Sequence, residues 1–252
     1  MSNLKTTSAD RLIMILNSLL ASYRNSVSSA KALAKAYNFD DLSNDKQILK
    51  HHASAIKLIQ NLKELCETFG GRMAQGYISN LDIILESMLC IGYSSNPTSL
   101  DLFANKLNSG AAITSLESLA AYIADHNLEK ELNDEELAQI LDEVDGLLST
   151  IENASIDIEF KKMLIANLKE MVFAVRDYRL FGVSQISNMM QKTTGQTILH
   201  AQRLEYTEEN KNIFDLMLSK MRDFNTIISF TSTLHHAVPL IASTVMSLPL
   251  NN

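Results

Sequence analysis

The feature that most limits what this chain can become is an apolar repeat of 3.6 residues, sustained along most of its length. It is clearest in DEELAQILDEVDGLLSTIEN, where Leu137, Ile140, Leu141, Val144, Leu147, Leu148 and Ile151 share one face and acidic residues hold most of the other. Asn133 or Asp134 can cap the first turn, and acidic residues there suit the positive end of the helix dipole. The next stretch, NASIDIEFKKMLIANLKEMVFAVRDYRLFG, repeats the pattern through Phe160, Leu164, Leu168, Met171, Val172, Val175 and Tyr178. Ser155 or Asp157 can cap it, and Gly182 can stop it in a left-handed conformation. So short a link between two such helices requires an antiparallel hairpin.

The rest of the chain reads the same way. SADRLIMILNSLLASYRNSVSSAKALAKAY predicts one long helix or two shorter ones. NDKQILKHHASAIKLIQNLKELCETFGG predicts another, with Ile48, Leu49, Ile56, Ile59, Leu62, Leu65, Cys66 and Phe69 on its buried side and Gly70 and Gly71 at its end. Only 8 Gly and 3 Pro interrupt 252 residues, too few for the turns of a strand-rich fold. The expectation is an all-α, multi-helix bundle of eight to ten helices with the hairpin at its centre. The polar stretch HNLEKELND suggests two helical subdomains, 1–130 and 131–252, unless the domain is continuous.

Several chemistries have no footing. There is no GxxxxGK[ST] phosphate loop, HExxH metal motif or GxSxG nucleophile elbow. The carboxylate pairs Glu64/Glu67 and Asp142/Asp145 are spaced i, i+3, but neither has the histidine that a helical di-metal site uses. His51 and His52 are adjacent and therefore diverge by about 100° on a helix. His52 falls near the apolar stripe and His51 nearer the polar side. The same divergence separates His235 from His236, while His126 and His200 read as surface. A zinc site would need the two pairs to meet in space. No catalytic residue, cofactor or metal is expected. Cys66 and Cys90 form no CxxC and fit buried thiols in a reducing compartment. A net charge of −7 without a basic run argues against a nucleic-acid surface. The start of the chain lacks a signal-peptide pattern and no 18-residue apolar run occurs, so the expected location is cytoplasmic.

Two segments stand out as interaction candidates. In RDYRLFG, Arg176, Tyr178, Arg179 and Phe181 are residue types that anchor interfaces. The same string also reads as a helix end, with arginines against the dipole and Tyr178 closing the core. The second is the tail: after Asp223 no Asp, Glu, Lys or Arg occurs. Ile227, Phe230, Leu234, Val238, Ile241 and Val245 recur at helical spacing, and the opposite face carries hydroxyls and imidazoles. Such a segment can be a final buried or intersubunit helix, a membrane-active segment in an oligomer, or a peptide for a partner's groove. Ten or so polar side chains, Pro239 and the lack of a flanking basic cluster weigh against the membrane.

Residues 141–186, with a leucine-rich helix, a short break, a second amphipathic helix and then Tyr, an apolar residue and Gly, resemble a helical hairpin of uncharacterised bacterial proteins from prophage and defence neighbourhoods. The resemblance implies a bacterial cytoplasmic protein tied to phage defence and carries over no catalytic residue. The function expected from sequence is a non-enzymatic interaction or regulatory protein that binds a protein partner or a second copy of itself, with a membrane-perturbing effector working through 225–252 as the alternative.

Overall fold

The computed structural model describes residues 6–25, 27–95, 98–107, 111–203 and 207–228. Among these the fold is all-α, with eleven helices and no strand. One helix is a single turn. The chain divides into two compact units: residues 1–129 with 179–184, and residues 130–178 with 185–252.

The first unit begins with α1 (Ser8–Arg24) and α2 (Ser29–Ala36). The sequence stretch that allowed one helix or two forms two, because each start is separately capped. Thr7 and Asp10 form a reciprocal capping box on α1, and the Ser28 side chain accepts from the Lys31 amide on α2. Then follow α3 (Asp45–Phe69), α4 (Gly71–Leu89), α5 (Thr98–Leu107) and α6 (Ala111–Asp125). Gly70 and Gly71 have φ of 67° and 78°. That positive-φ pair turns the chain so tightly that α4 starts at once, at Gly71. The α3–α4 pair is antiparallel, tied by His52 to the Met88 carbonyl and by the Lys63–Asp82 ion pair. Leu12, Leu16, Leu19, Leu33, Ile48, Ile59, Ile84 and Phe103 are all fully buried in one shared core. Leu49, expected on the buried stripe of α3, is instead 44% exposed. Ile48, His51 and His52 beside it are buried, so the enclosed face of α3 runs through them and Leu49 points away from it.

The second unit holds the hairpin of α7 (Asp134–Asn153) and α8 (Ile158–Arg176). Asn133 and Asp157 are the residues that cap, Asn133 through a capping box with Glu136. After the one-turn α9 (Tyr178–Phe181) come α10 (Val183–Ala201) and α11 (Glu208–Ile228). α8 therefore ends at Arg176, one short helix before Gly182. The expected stripe is buried, from Phe160 to Val175 on α8 and Tyr178 on α9. α10 is joined to α8 by Lys192–Glu170 at 2.6 Å and Asn167–Gln196 at 2.7 Å. α11 is joined to α7 by Lys220–Glu143 at 3.1 Å.

Candidate interaction surfaces

The string RDYRLFG is divided by the fold. Arg176 and Arg179 are exposed, whereas Tyr178 and Phe181 are 5% and 1% exposed. The Tyr178 hydroxyl accepts the Leu132 amide N–H at 2.6 Å, inside the second unit. Phe181 belongs to the first unit, where its ring lies 5.6 Å from His51 and 6.3 Å from Tyr37. The two arginines are what this string shows to solvent; its aromatics work inside.

Phe181 enters a cluster that sequence periodicity does not reveal. His51 and His52 are both buried, including the one expected near the polar side. Phe39 meets the His51 ring edge-on at 5.0 Å, and Phe39 with Phe181 covers that face of α3. His51 Nδ1 is 2.9 Å from the Gln47 carbonyl. His52 is held at both nitrogens, by the Tyr37 hydroxyl at 3.0 Å and the Met88 carbonyl at 3.1 Å. Burial lowers its pKa below the ordinary value, and the Met88 carbonyl opposes that with a smaller effect. Both rings are thus engaged in structure. His126 is exposed and stacks on Tyr122 at 4.0 Å; His200 is half-buried beside Phe160. His235 and His236 lie outside the described residues.

A second polar cluster surrounds the start of α1. Arg11 is 4% exposed and its Nη1 donates to the Thr6 carbonyl at 2.9 Å. The Ser8 amide donates to Glu129 Oε2 at 2.7 Å. Burial raises the Glu129 pKa, against the Ser8 hydrogen bonds and the Arg11 charge. Gly182 closes the cluster with φ of 70°, and a Cβ there would stand 2.8 Å from Arg11 Nη1.

An exposed apolar face of the first unit spans α4 and α5. Ile83, Glu86 and Leu89 follow at i, i+3 along α4, and Leu102 and Lys106 at i, i+4 along α5, so each set shares a helix face. The Glu86–Lys106 ion pair at 3.0 Å joins the two faces. Ile83, Leu89 and Leu102 are 38%, 62% and 53% exposed. Cys90 is half-buried at the edge of this face and close enough to Lys106 to act on its charge. Cys66 is fully buried, and burial first, with Glu67 second, pushes its thiol up to about 11.

At the end of the described chain, the buried face of α11 runs through Ile213, Met217, Met221, Phe224 and Ile228. Ile227, the first member of the expected tail stripe, is half-buried and off that face. The Lys130 ammonium donates to the Ile227 carbonyl and to Glu136 Oε1, which places a positive charge at the negative end of α11. Phe230, Leu234, Val238, Ile241 and Val245 lie outside the described residues.

Among the described residues no group of three or more His, Cys, Asp or Glu is placed to hold a metal, and no helix is long and apolar enough to cross a membrane. No family model, no curated protein and no solved structure matches the chain, so the candidate surfaces rest on its own geometry.

Proposed function

We propose that this chain is a helical interaction protein, not an enzyme, and that it associates with a second copy of itself. The observation that carries the reading is the α4–α5 face, where Ile83, Leu89 and Leu102 stand in solvent around the Glu86–Lys106 pair. Such a face holds both an acid and a base between apolar flanks. Turned about a two-fold axis it can meet its own copy, leucine against leucine and lysine against glutamate. The buried ionisable groups add support: His52, His51 and Glu129 each hold backbone or a neighbouring side chain in place. The likeness of residues 141–186 to hairpins of bacterial defence neighbourhoods gives this reading a setting, a regulatory protein of the bacterial cytoplasm.

Size-exclusion chromatography with light scattering tests it. The wild-type chain is expected to exceed monomer mass at micromolar concentration. The double variant Leu89→Ser, Leu102→Ser is expected to return to monomer with its helical circular dichroism unchanged. A strictly monomeric wild-type chain would sink the reading.

A second reading follows from the absence of charge after Asp223: residues 225–252 act on a lipid bilayer once the protein assembles. Liposome flotation and dye release, with and without that segment, decide it. Equal behaviour of both forms removes the membrane.

A further inference from the structure

Residues 179–184 are packed in the first unit, yet both chain neighbours, Tyr178 and Gln185, belong to the second. Chemically the segment is a guest, and its cradle is made of residues 8–51. Phe181 sits among Tyr37, His51 and, through His51, Phe39. Leu180 packs half-buried on the same core. Gly182 lies against Arg11 in a left-handed conformation, where a Cβ would force the guanidinium to shift. The cradle therefore selects phenylalanine followed by glycine, an aromatic anchor plus a residue defined by backbone geometry.

Guest and cradle are joined through a short crossing. Glu129 takes the Ser8 amide N–H in the first unit. Lys130, the next residue, bonds to Glu136 and the Ile227 carbonyl in the second. One peptide bond separates the two anchored residues, and short crossings of this kind favour exchange between copies. The ring contacts of Phe181 and the approach of Gly182 are made with residues 8–51, so a second copy can supply both without altering them.

We infer that the cradle of Arg11, Tyr37, Phe39 and His51 is a docking site for Phe181–Gly182 of a second copy, so that copies brought together through the α4–α5 face also exchange residues 179–184 reciprocally. The inference rests on the self-association reading and adds a second contact between the copies. A tethered guest competes at an effective concentration of about millimolar, so exchange is expected to grow with protein concentration and on refolding from concentrated denatured chain.

The test is a photo-cross-link within the full chain. Leu180→p-benzoylphenylalanine is refolded at high concentration with an equal amount of wild-type chain of different tag, and the product is sized by light scattering before irradiation. The expected result is a cross-link from position 180 of one copy to residues 8–51 of the other. Oligomers that yield only intramolecular cross-links overturn the exchange and leave self-association by another face standing. Monomer at every concentration overturns both. Should the probe variant not fold, a labelled peptide of residues 176–186 replaces it. Gly182→Ala in the chain weakens the tethered guest, so that variant is expected to bind the peptide about tenfold more tightly than wild type. Equal or absent binding by the two folded proteins overturns the docking site.

Discussion

The Tyr37 hydroxyl donates its hydrogen bond to Nδ1 of His52, 3.0 Å away, because the other ring nitrogen already faces a carbonyl. The Met88 oxygen, 3.1 Å from Nε2, can only accept, so Nε2 carries the proton and Nδ1 the lone pair. The neutral ring satisfies both partners; the imidazolium would turn a second donor towards Tyr37.

A pH dependence follows. The His52 pKa in the folded chain lies below the ordinary 6.5, burial being the main cause. The unfolded chain keeps the ordinary value, so between the two values it binds more protons than the folded one. Stability is therefore full above about pH 6.5 and is lost as pH falls through the folded value. Urea unfolding from pH 8 to pH 5 is expected to show this loss, and His52→Asn to lack its share. Tyr37→Phe leaves a buried acceptor without its donor and is expected to cost about 1–3 kcal/mol at pH 7.5.

Glu129 has the opposite sign. Burial raises its pKa above the ordinary 4.5, so the folded chain binds the extra proton and stability falls as pH rises through the folded value. Glu129→Gln keeps an acceptor for the Ser8 amide and cannot ionise. The stability of this variant relative to wild type is expected to improve steadily as pH rises above about 4.5. A pH-independent difference between the two unfolding curves would show that Glu129 does not titrate in this way.

Gly182→Ala tests the fit of the returning segment. Alanine at φ of 70° costs about 1–2 kcal/mol, and its Cβ also displaces the buried Arg11 guanidinium. The expected loss is about 2 kcal/mol or more, read as a lower denaturation midpoint with an unchanged urea slope. A loss confined to about 1–2 kcal/mol would mean that Arg11 moves aside freely, and an unchanged midpoint would refute the backbone strain as well.

Asn133→Ala removes the capping box of α7, in which the Asn133 side chain takes the Glu136 amide and Glu136 returns the bond. A cost of about 1 kcal/mol is expected in the same assay. Glu136 also holds Lys130. Burial raises its carboxyl, but the Lys130 hydrogen bond, the Asn133 amide and the Lys130 charge together hold it below its usual value. Glu136→Gln is therefore expected to cost more than the cap alone.

What the sequence determined by itself was local. The 3.6-residue repeat identifies the helices, and the cap candidates Asn133 or Asp134 and Ser155 or Asp157 bracket where α7 and α8 begin, because backbone rotation and orphan amide groups involve only neighbours within a turn. The buried stripe from Phe160 to Tyr178 could be read off directly for the same reason. The partners of those stripes were decided by tertiary structure. A repeat states which face of a helix is apolar and is silent on what it meets. So the residues that cover His51, the return of Phe181 to the first unit, and the bond from Ser8 to Glu129, 121 residues along the chain, could not be read from spacing. Each depends on packing between segments whose separation in sequence sets no distance in space, and close packing of whole side chains is what selects among the possible pairings.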